Sequence, residues 1–147
     1  MAIKVALDTN ILLDLLLKDR PHKEESRRIL SAAESHCFVA QISTQSIIDA
    51  AYTAKKQGLG YAAFVKAIGD LRRFLGISSI DWIDLSWAAS NPTFPSSGDI
   101  EDDVQFANAY NTNCDYFITR DRKLLCFNME DSPITVISPD DFVQAMK

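Results

Sequence analysis

The sequence predicts an α/β protein, a three-layer α/β/α sandwich with a mainly parallel central sheet, and three observations carry that expectation. Short apolar runs alternate with helix-like stretches from one end of the chain to the other. Strands that alternate with helices need crossover connections, and these give parallel pairing with helices on both faces of the sheet. The Pro-, Ser- and Gly-rich break at residues 89–98 reads as a surface loop within one domain spanning 1–147.

Residues 3–7 form the first strand candidate, followed by helical material at 11–17 and 22–34. The run Cys-Phe-Val-Ala-Gln-Ile at 37–42 is the second strand, and 44–57 the next helix. Over 61–75, Phe64, Val65, Ile68, Leu71 and Leu75 recur at helical spacing and predict an amphipathic helix. A short strand is expected within 77–83, then a helix beginning near Leu85. After the break, 99–111 is helical, 116–119 and 135–137 are strands, and a short helix follows Pro139.

Composition bounds the function. With 147 residues and 47% hydrophobic side chains, the chain can bury a core without staples. No apolar run approaches the roughly 18 residues of a membrane span, and the N-terminus has no signal-peptide pattern. Three cysteines, Cys37, Cys114 and Cys126, are an odd set without CxxC spacing. Reduced cysteines, with Cys37 and Cys114 packed as small hydrophobes, and a cytoplasmic location are the expectation. His22 and His36 have no nearby nucleophile, which argues against a Ser-His-Asp or Cys-His enzyme. A net charge of −5 disfavours phosphate binding if the charges are evenly spread. Carboxylates gathered around divalent cations would make that count misleading, because each bound cation restores two positive charges locally.

In open parallel sheets ligands bind beyond the carboxyl ends of the strands, and four acids fall there. Asp8 follows the first strand, Asp49 lies in the helix after the second, Asp102 opens the helix after the break, and Asp121 comes just after residues 116–119. Each has a plain structural reading: Asp8 and Asp121 as helix caps, Asp102 as a first-turn acid paired with Asp99, Asp49 as a solvated helix residue. Their joint placement at one sheet edge favours a site. Ser43 (or Thr44) and Thr119 can cap a helix, orient a carboxylate or hold a water, and Asn10 can cap the first helix or fix Asp8. Asp103 follows Asp102 and is expected to point off the site, since neighbouring helical residues do not share a face.

Val5-Ala6-Leu7-Asp8-Thr9-Asn10-Ile11-Leu12-Leu13-Asp14, Ile42-Ser43-Thr44 with Asp49, Gly98-Asp99-Ile100-Glu101-Asp102, and Cys114-Asp115-Tyr116-Phe117-Ile118-Thr119-Arg120-Asp121 together resemble a PIN domain of the small VapC-like kind. The resemblance runs through almost the whole chain. It implies a magnesium- or manganese-dependent ribonuclease and the toxin of a toxin–antitoxin pair, with an antitoxin protein as partner and a homodimer as its assembly. The alternative is a non-catalytic PIN-like module that binds a protein or RNA. Two departures bear on that choice: Asp49 stands where family members usually have Glu, and Leu124-Leu125 stand where many carry Asp-Phe. Asp121 then takes the fourth acidic role.

The residue types suit the implied chemistry. Phosphodiester hydrolysis concentrates negative charge on phosphate oxygens, and Mg²⁺ and Mn²⁺ prefer hard oxygen ligands. Asp8, Asp102 and Asp121 are the expected metal ligands, with Asp49 a ligand or a water-orienting base. One metal and two remain open alternatives. Arg120, Arg122 and Lys123 flank Asp121 and are candidates for RNA contact. Lys18, Arg20, Lys23, Arg27 and Arg28 form a second basic cluster that reads equally as a solvated helix face. A haloacid-dehalogenase-like phosphatase needs an acid where Asn10 stands. A response-regulator receiver needs a Lys after its last strand, where Ser138-Pro139 stand.

Overall fold

A computed structural model describes residues 2–90, 99–126 and 132–147. Strand β1 (Lys4–Leu7) leads into α1 (Thr9–Leu16) and α2 (Lys23–Glu34); β2 (Val39–Ser43) leads into α3 (Thr44–Lys56) and α4 (Tyr61–Leu71). Then come β3 (Leu75–Ser78), α5 (Trp82–Ser90), α6 (Ile100–Asn111), β4 (Tyr116–Ile118), α7 (Arg122–Leu125), β5 (Thr135–Ile137) and α8 (Pro139–Ala145). The five strands pair in the order β3-β2-β1-β4-β5, and every pairing is parallel. All carboxyl ends therefore lie on one edge, with β1 at the centre between Val39–Ser43 and Tyr116–Ile118.

Alternation along β1 builds the layers, because successive strand side chains point to opposite faces. Val5 and Leu7 join Ile29, Ala33, Phe142 and Val143, so one face carries α2 and α8. Ala6 and Phe117 instead join Phe106 and Ala109 of α6 and Leu124 of α7. A third cluster ties Leu12 and Leu13 of α1 to Ile42, Ala50, Ala54 and Phe64, which fixes α3 and α4 beside α1. A sheet covered on both faces explains why the strands read as continuous apolar runs.

Three helices close with the same hydrogen-bond pair, in which the two residues beyond the cap bond back to carbonyls of the last turn. Cys37 N–H donates to Ala32 O and His36 N–H to Ala33 O; Cys114 and Asn113 repeat the pattern on Ala109 and Tyr110. Leu59 and Gly58 do the same on Ala54 and Lys55. The residue in the left-handed region is His36, Asn113 and Gly58 in turn. The first two closures drop the chain into β2 and β4, and the third sends it into α4.

Several boundaries differ from the sequence reading. The helix expected over 61–75 stops at Leu71, because Leu75 pairs with Ala40 as the first residue of β3. Leu75 is buried in the core either way, and burial spacing cannot show where a helix ends. That strand accordingly starts before residue 77, and the next helix starts at Trp82. Ala89 and Ser90, expected in the loop, close α5; residues 91–98 lie outside the described residues. Helix α7 is too short for periodicity to reveal. Cys114 is buried as expected, but Cys37 is exposed: it sits in the turn after α2, ahead of the strand proper. No helix among the described residues is long and apolar enough to cross a membrane.

Candidate active site

Asp8 is the residue at which β1 becomes α1. Its carboxylate accepts from the Thr9 amide at 2.7 Å as the helix N-cap, and from Thr119 Oγ1 at 2.7 Å. Thr119 is fully buried and also accepts from the Asp121 amide at 3.0 Å. One hydroxyl at the end of β4 thus orients two of the predicted acids. Asp121 in turn caps α7 through the Lys123 amide at 2.8 Å. Capping and lining a site are not alternatives for these two residues, because both leave oxygens on the cleft.

That cleft, about 580 Å³, lies at the carboxyl edge of the sheet. Asp8, Asp49, Asp102 and Asp121 all line it, as does Asn10. Asp102 stands in the first turn of α6, whose N-cap Asp99 accepts from the Glu101 amide at 2.9 Å. Asp49 reaches the cleft from α3 with one oxygen accepting from Gln45 Nε2 at 2.9 Å. Asp103 is buried and does not line the cleft.

Sequence reasoning missed three contributors. Glu101 lines the cleft beside Asp102. Gln105 lies one turn further along α6 and accepts from Ser46 Oγ at 2.7 Å. Ser46 also receives hydrogen bonds from Thr9 Oγ1 at 3.1 Å and Ser43 Oγ at 3.2 Å. This node joins α1, α3 and α6, the helices that carry or follow Asp8, Asp49 and Asp102. Ser43 therefore acts as the N-cap of α3, accepting from the Ser46 amide, and supports the site from below. The Ser43/Ser46 spacing of three was the available signal for Ser46. Nothing local marks Gln105.

Two supporting expectations change. Asn10 neither caps α1 nor holds Asp8; those roles belong to Asp8 itself and Thr119, while Asn10 Oδ1 accepts from Arg20 at 3.4 Å. Arg120, expected at the phosphate, is committed elsewhere: its guanidinium donates to buried Asp14, to His22 O and to Ser26 Oγ. Arg20 and Ser26 complete the shell around Asp14 at 2.7 and 2.6 Å. Burial opposes ionisation of Asp14, but hydrogen bonds from Arg20, Ser26 and Arg120 outweigh it and hold the carboxyl below its usual range. Arg122 and Lys123 are exposed on α7 and do not line the cleft.

Four acids lining the cleft, Asp8, Asp49, Glu101 and Asp102, shift the other way. Burial raises Asp8, with Asp121 and Asp49 adding repulsion against the lowering effect of Thr119 and Thr9. Burial and Asp99 raise Asp49 against its Gln45 bond, while Asp49 repulsion is the main cause raising Glu101. Asp102 is pushed up to about 7 by burial, by repulsion from Asp8, Asp99 and Asp121, and by a side-chain hydrogen bond with Asp121. Two overlapping groups emerge: Asp8, Asp102 and Asp121 around one end, Asp49, Asp99 and Glu101 around the other. Among the described residues no three such side chains are already gathered closely enough to ligate an ion. The chemistry of the donor set nevertheless fits one, since hard carboxylate oxygens converge there and no Lys or Arg is among the described residues lining the cleft.

The comparisons with known proteins agree with this architecture. Residues 4–123 match the family described as the PIN domain. No curated protein sequence matches the chain. The fold is similar to that of VapC20 from Mycobacterium tuberculosis, described as a sarcin–ricin loop cleaving toxin. The TM-score is 0.65 at 13% identity, over 86% of this chain and 97% of that one. It is also similar to VapBC2 from Rickettsia felis bound to a promoter DNA fragment, with TM-score 0.67 at 13% identity, covering 92% and 98%. A toxin–antitoxin complex from Klebsiella pneumoniae gives 0.63 at 21% identity, covering 92% and 97%.

The crowding has a measurable consequence for the metal-free protein. Asp102 has a folded pKa above its unfolded value, so its contribution to stability is full below about 4 and is lost as pH rises through about 7. Asp14 has the opposite sign, and its contribution is lost only as pH falls through its lowered folded value. Thermal melts in EDTA should therefore show stability falling from about pH 4 to about pH 7 in the wild type. Asp102→Asn should flatten that slope and melt at or above the wild type at neutral pH. A variant clearly less stable at neutral pH would mean that α6 needs the charge at its first turn more than the site suffers from it.

Proposed function

The chain belongs to the PIN-domain family, and on that premise we propose that it is a Mg²⁺- or Mn²⁺-dependent endoribonuclease, a cytoplasmic single-domain hydrolase. The observation that carries the reading is the set of Asp8, Asp102 and Asp121 on one cleft, with Asp102 raised to about 7 by burial and by repulsion from its neighbours. A carboxylate cluster that is costly when empty and supplies hard oxygens suits a divalent cation.

Asp8, Asp102 and Asp121 would hold the metal. The chemistry such a cation supplies when bound is offsetting charge on the phosphate oxygens and lowering the pKa of the attacking water. Thr119 keeps one Asp8 oxygen oriented by donating to the other. Asp49, half-buried and raised, either ligates or orients the nucleophilic water and takes its proton on Oδ. Glu101 stands next to it on the cleft as a second proton acceptor. Hydrolysis leaves the leaving-group oxygen needing a proton, and the one taken from the attacking water by Asp49 or Glu101 can be returned to it through solvent.

We further propose that the protein is the toxin of a toxin–antitoxin pair, with an antitoxin protein covering the cleft and a homodimer as its assembly. The fold shared with toxin–antitoxin complexes supports this.

Purified protein incubated with structured and single-stranded RNA should cut in the presence of Mn²⁺ or Mg²⁺ and stop with EDTA. Asp8→Asn and Asp102→Asn should each reduce cleavage by more than about 100-fold with native circular dichroism, since even groups outside the ligand shell cost about 10–100-fold. Cleavage indifferent to EDTA, or normal in both variants, would sink the mechanism. Metal-independent RNA binding without cutting would favour the non-catalytic module. In cells, expression of the wild type alone should slow growth while Asp102→Asn should not; equal tolerance of both would remove the toxin reading and leave a housekeeping nuclease.

A further inference from the structure

Helix α3 presents apolar side chains that the core does not use. Ile48 and Tyr52 are 66% and 65% exposed, and Tyr61 at the start of α4 is 81% exposed. Ile48 and Tyr52 form a shared wall. On one side is the acidic cleft, and on the other a groove of about 270 Å³ floored by Ala51, Leu59 and Phe64 and bounded by Tyr61. The Gly58 closure of α3 brings Leu59 and Tyr61 back against the helix and so makes the groove. Lysines edge it: Lys55 lines the groove, and Lys56 Nζ lies 4.3 Å from the centroid of the Tyr52 ring.

We propose that Tyr52 is a stacking platform for a base of single-stranded RNA next to the scissile phosphate, with Lys55 and Lys56 meeting the adjoining backbone phosphate. The inference rests on the ribonuclease reading and names the substrate class and specificity surface of the same site. Three observations favour RNA as the occupant. Exposed phenol rings suit any nucleobase, because every base offers a π-face. The groove is continuous with the acids through two shared residues, as a chain running through the site requires. No Lys or Arg is among the described residues lining the cleft, and Arg120 is committed to Asp14, so side-chain cations for the flanking phosphates come from the rim, where Lys55 and Lys56 stand. Asp49, Tyr52 and Lys56 stand three and four residues apart on α3, which stacks acid, ring and cation along one helix face.

The test uses a labelled, short, mixed-sequence single-stranded RNA and fluorescence anisotropy, with Asp102→Asn as the background so that binding is read without cutting. Tyr52→Ala should weaken binding by on the order of tenfold, while Tyr52→Phe, which keeps the ring, should bind as the background does. Lys56→Ala should reduce the slope of log affinity against log salt by about one. In the cleaving protein Tyr52→Ala should raise KM and leave kcat unchanged. Because the ring is largely in solvent, circular dichroism should stay native. Unchanged RNA affinity and KM in Tyr52→Ala overturn the platform while leaving the nuclease reading intact, and would assign the face to a protein partner. Tyr52-dependent binding by a protein that cuts no RNA with either metal would overturn the nuclease reading and leave the platform standing. No binding of single-stranded RNA by the wild type overturns the platform, and the nuclease reading then rests on whether structured RNA is cut.

Discussion

A single buried hydroxyl governs the geometry of the site. Thr119 follows β4, donates to Asp8 at the end of β1, and accepts from the amide of Asp121. Because β1 and β4 are adjacent and parallel, with Leu7 opposite Ile118, the bond spans the two central strands where the sheet ends. Asp8 is 4% exposed and raised by burial, so an unsupported carboxylate there would be costly. The threonine offsets part of that cost and, with the Thr9 amide on the other oxygen, fixes the orientation of the carboxylate. Asp121 is tied to this pair through its own amide, while Asp102 is carried to it by the first turn of α6.

Two opposite electrostatic solutions lie within a few residues of each other. Asp14 is buried but encircled by Arg20, Arg120 and Ser26, which satisfy it and lower its pKa. The cleft acids, buried Asp8 and half-buried Asp49, Asp102 and Asp121, are surrounded by one another. Breaking the Asp14 pair by removing one partner leaves a buried charge without compensation, so this pair serves the fold, anchoring the chain between Thr119 and Asp121 onto α1 and α2. The cleft is instead left electrostatically incomplete, a condition that costs stability and favours an external cation. The net charge of −5 is therefore a poor guide here, since much of the acidity that sets it is local.

Much of this was legible because strand ends are legible. In a parallel sheet the residue after each strand lies on the same edge, so Asp8 and Asp121 declare themselves once 3–7 and 116–119 read as strands. Asp102 declares itself through its helix start. Residues whose roles depend on contacts between distant elements did not show. Ser46 and Gln105 meet across 59 positions, and Glu101 reads as one more first-turn acid. Arg120 misled for the same reason: its neighbour in sequence is a cleft acid, while its partner in space is Asp14, 106 positions away. Tyr52 carries no signal at all in a helix whose other residues alternate between core and solvent.

On the proposed function, the cleft acids are an incomplete ligand set whose charge a divalent cation completes. Calorimetric titration of Mn²⁺ into the protein at about one pH unit below the Asp102 value, in two buffers of different ionisation enthalpy, reads both binding and proton release. The wild type should bind with release of close to one proton, and Asp102→Asn should lose most of that release along with most of the affinity. Mn²⁺ binding without proton release, or equal release from both proteins, would contradict that reading.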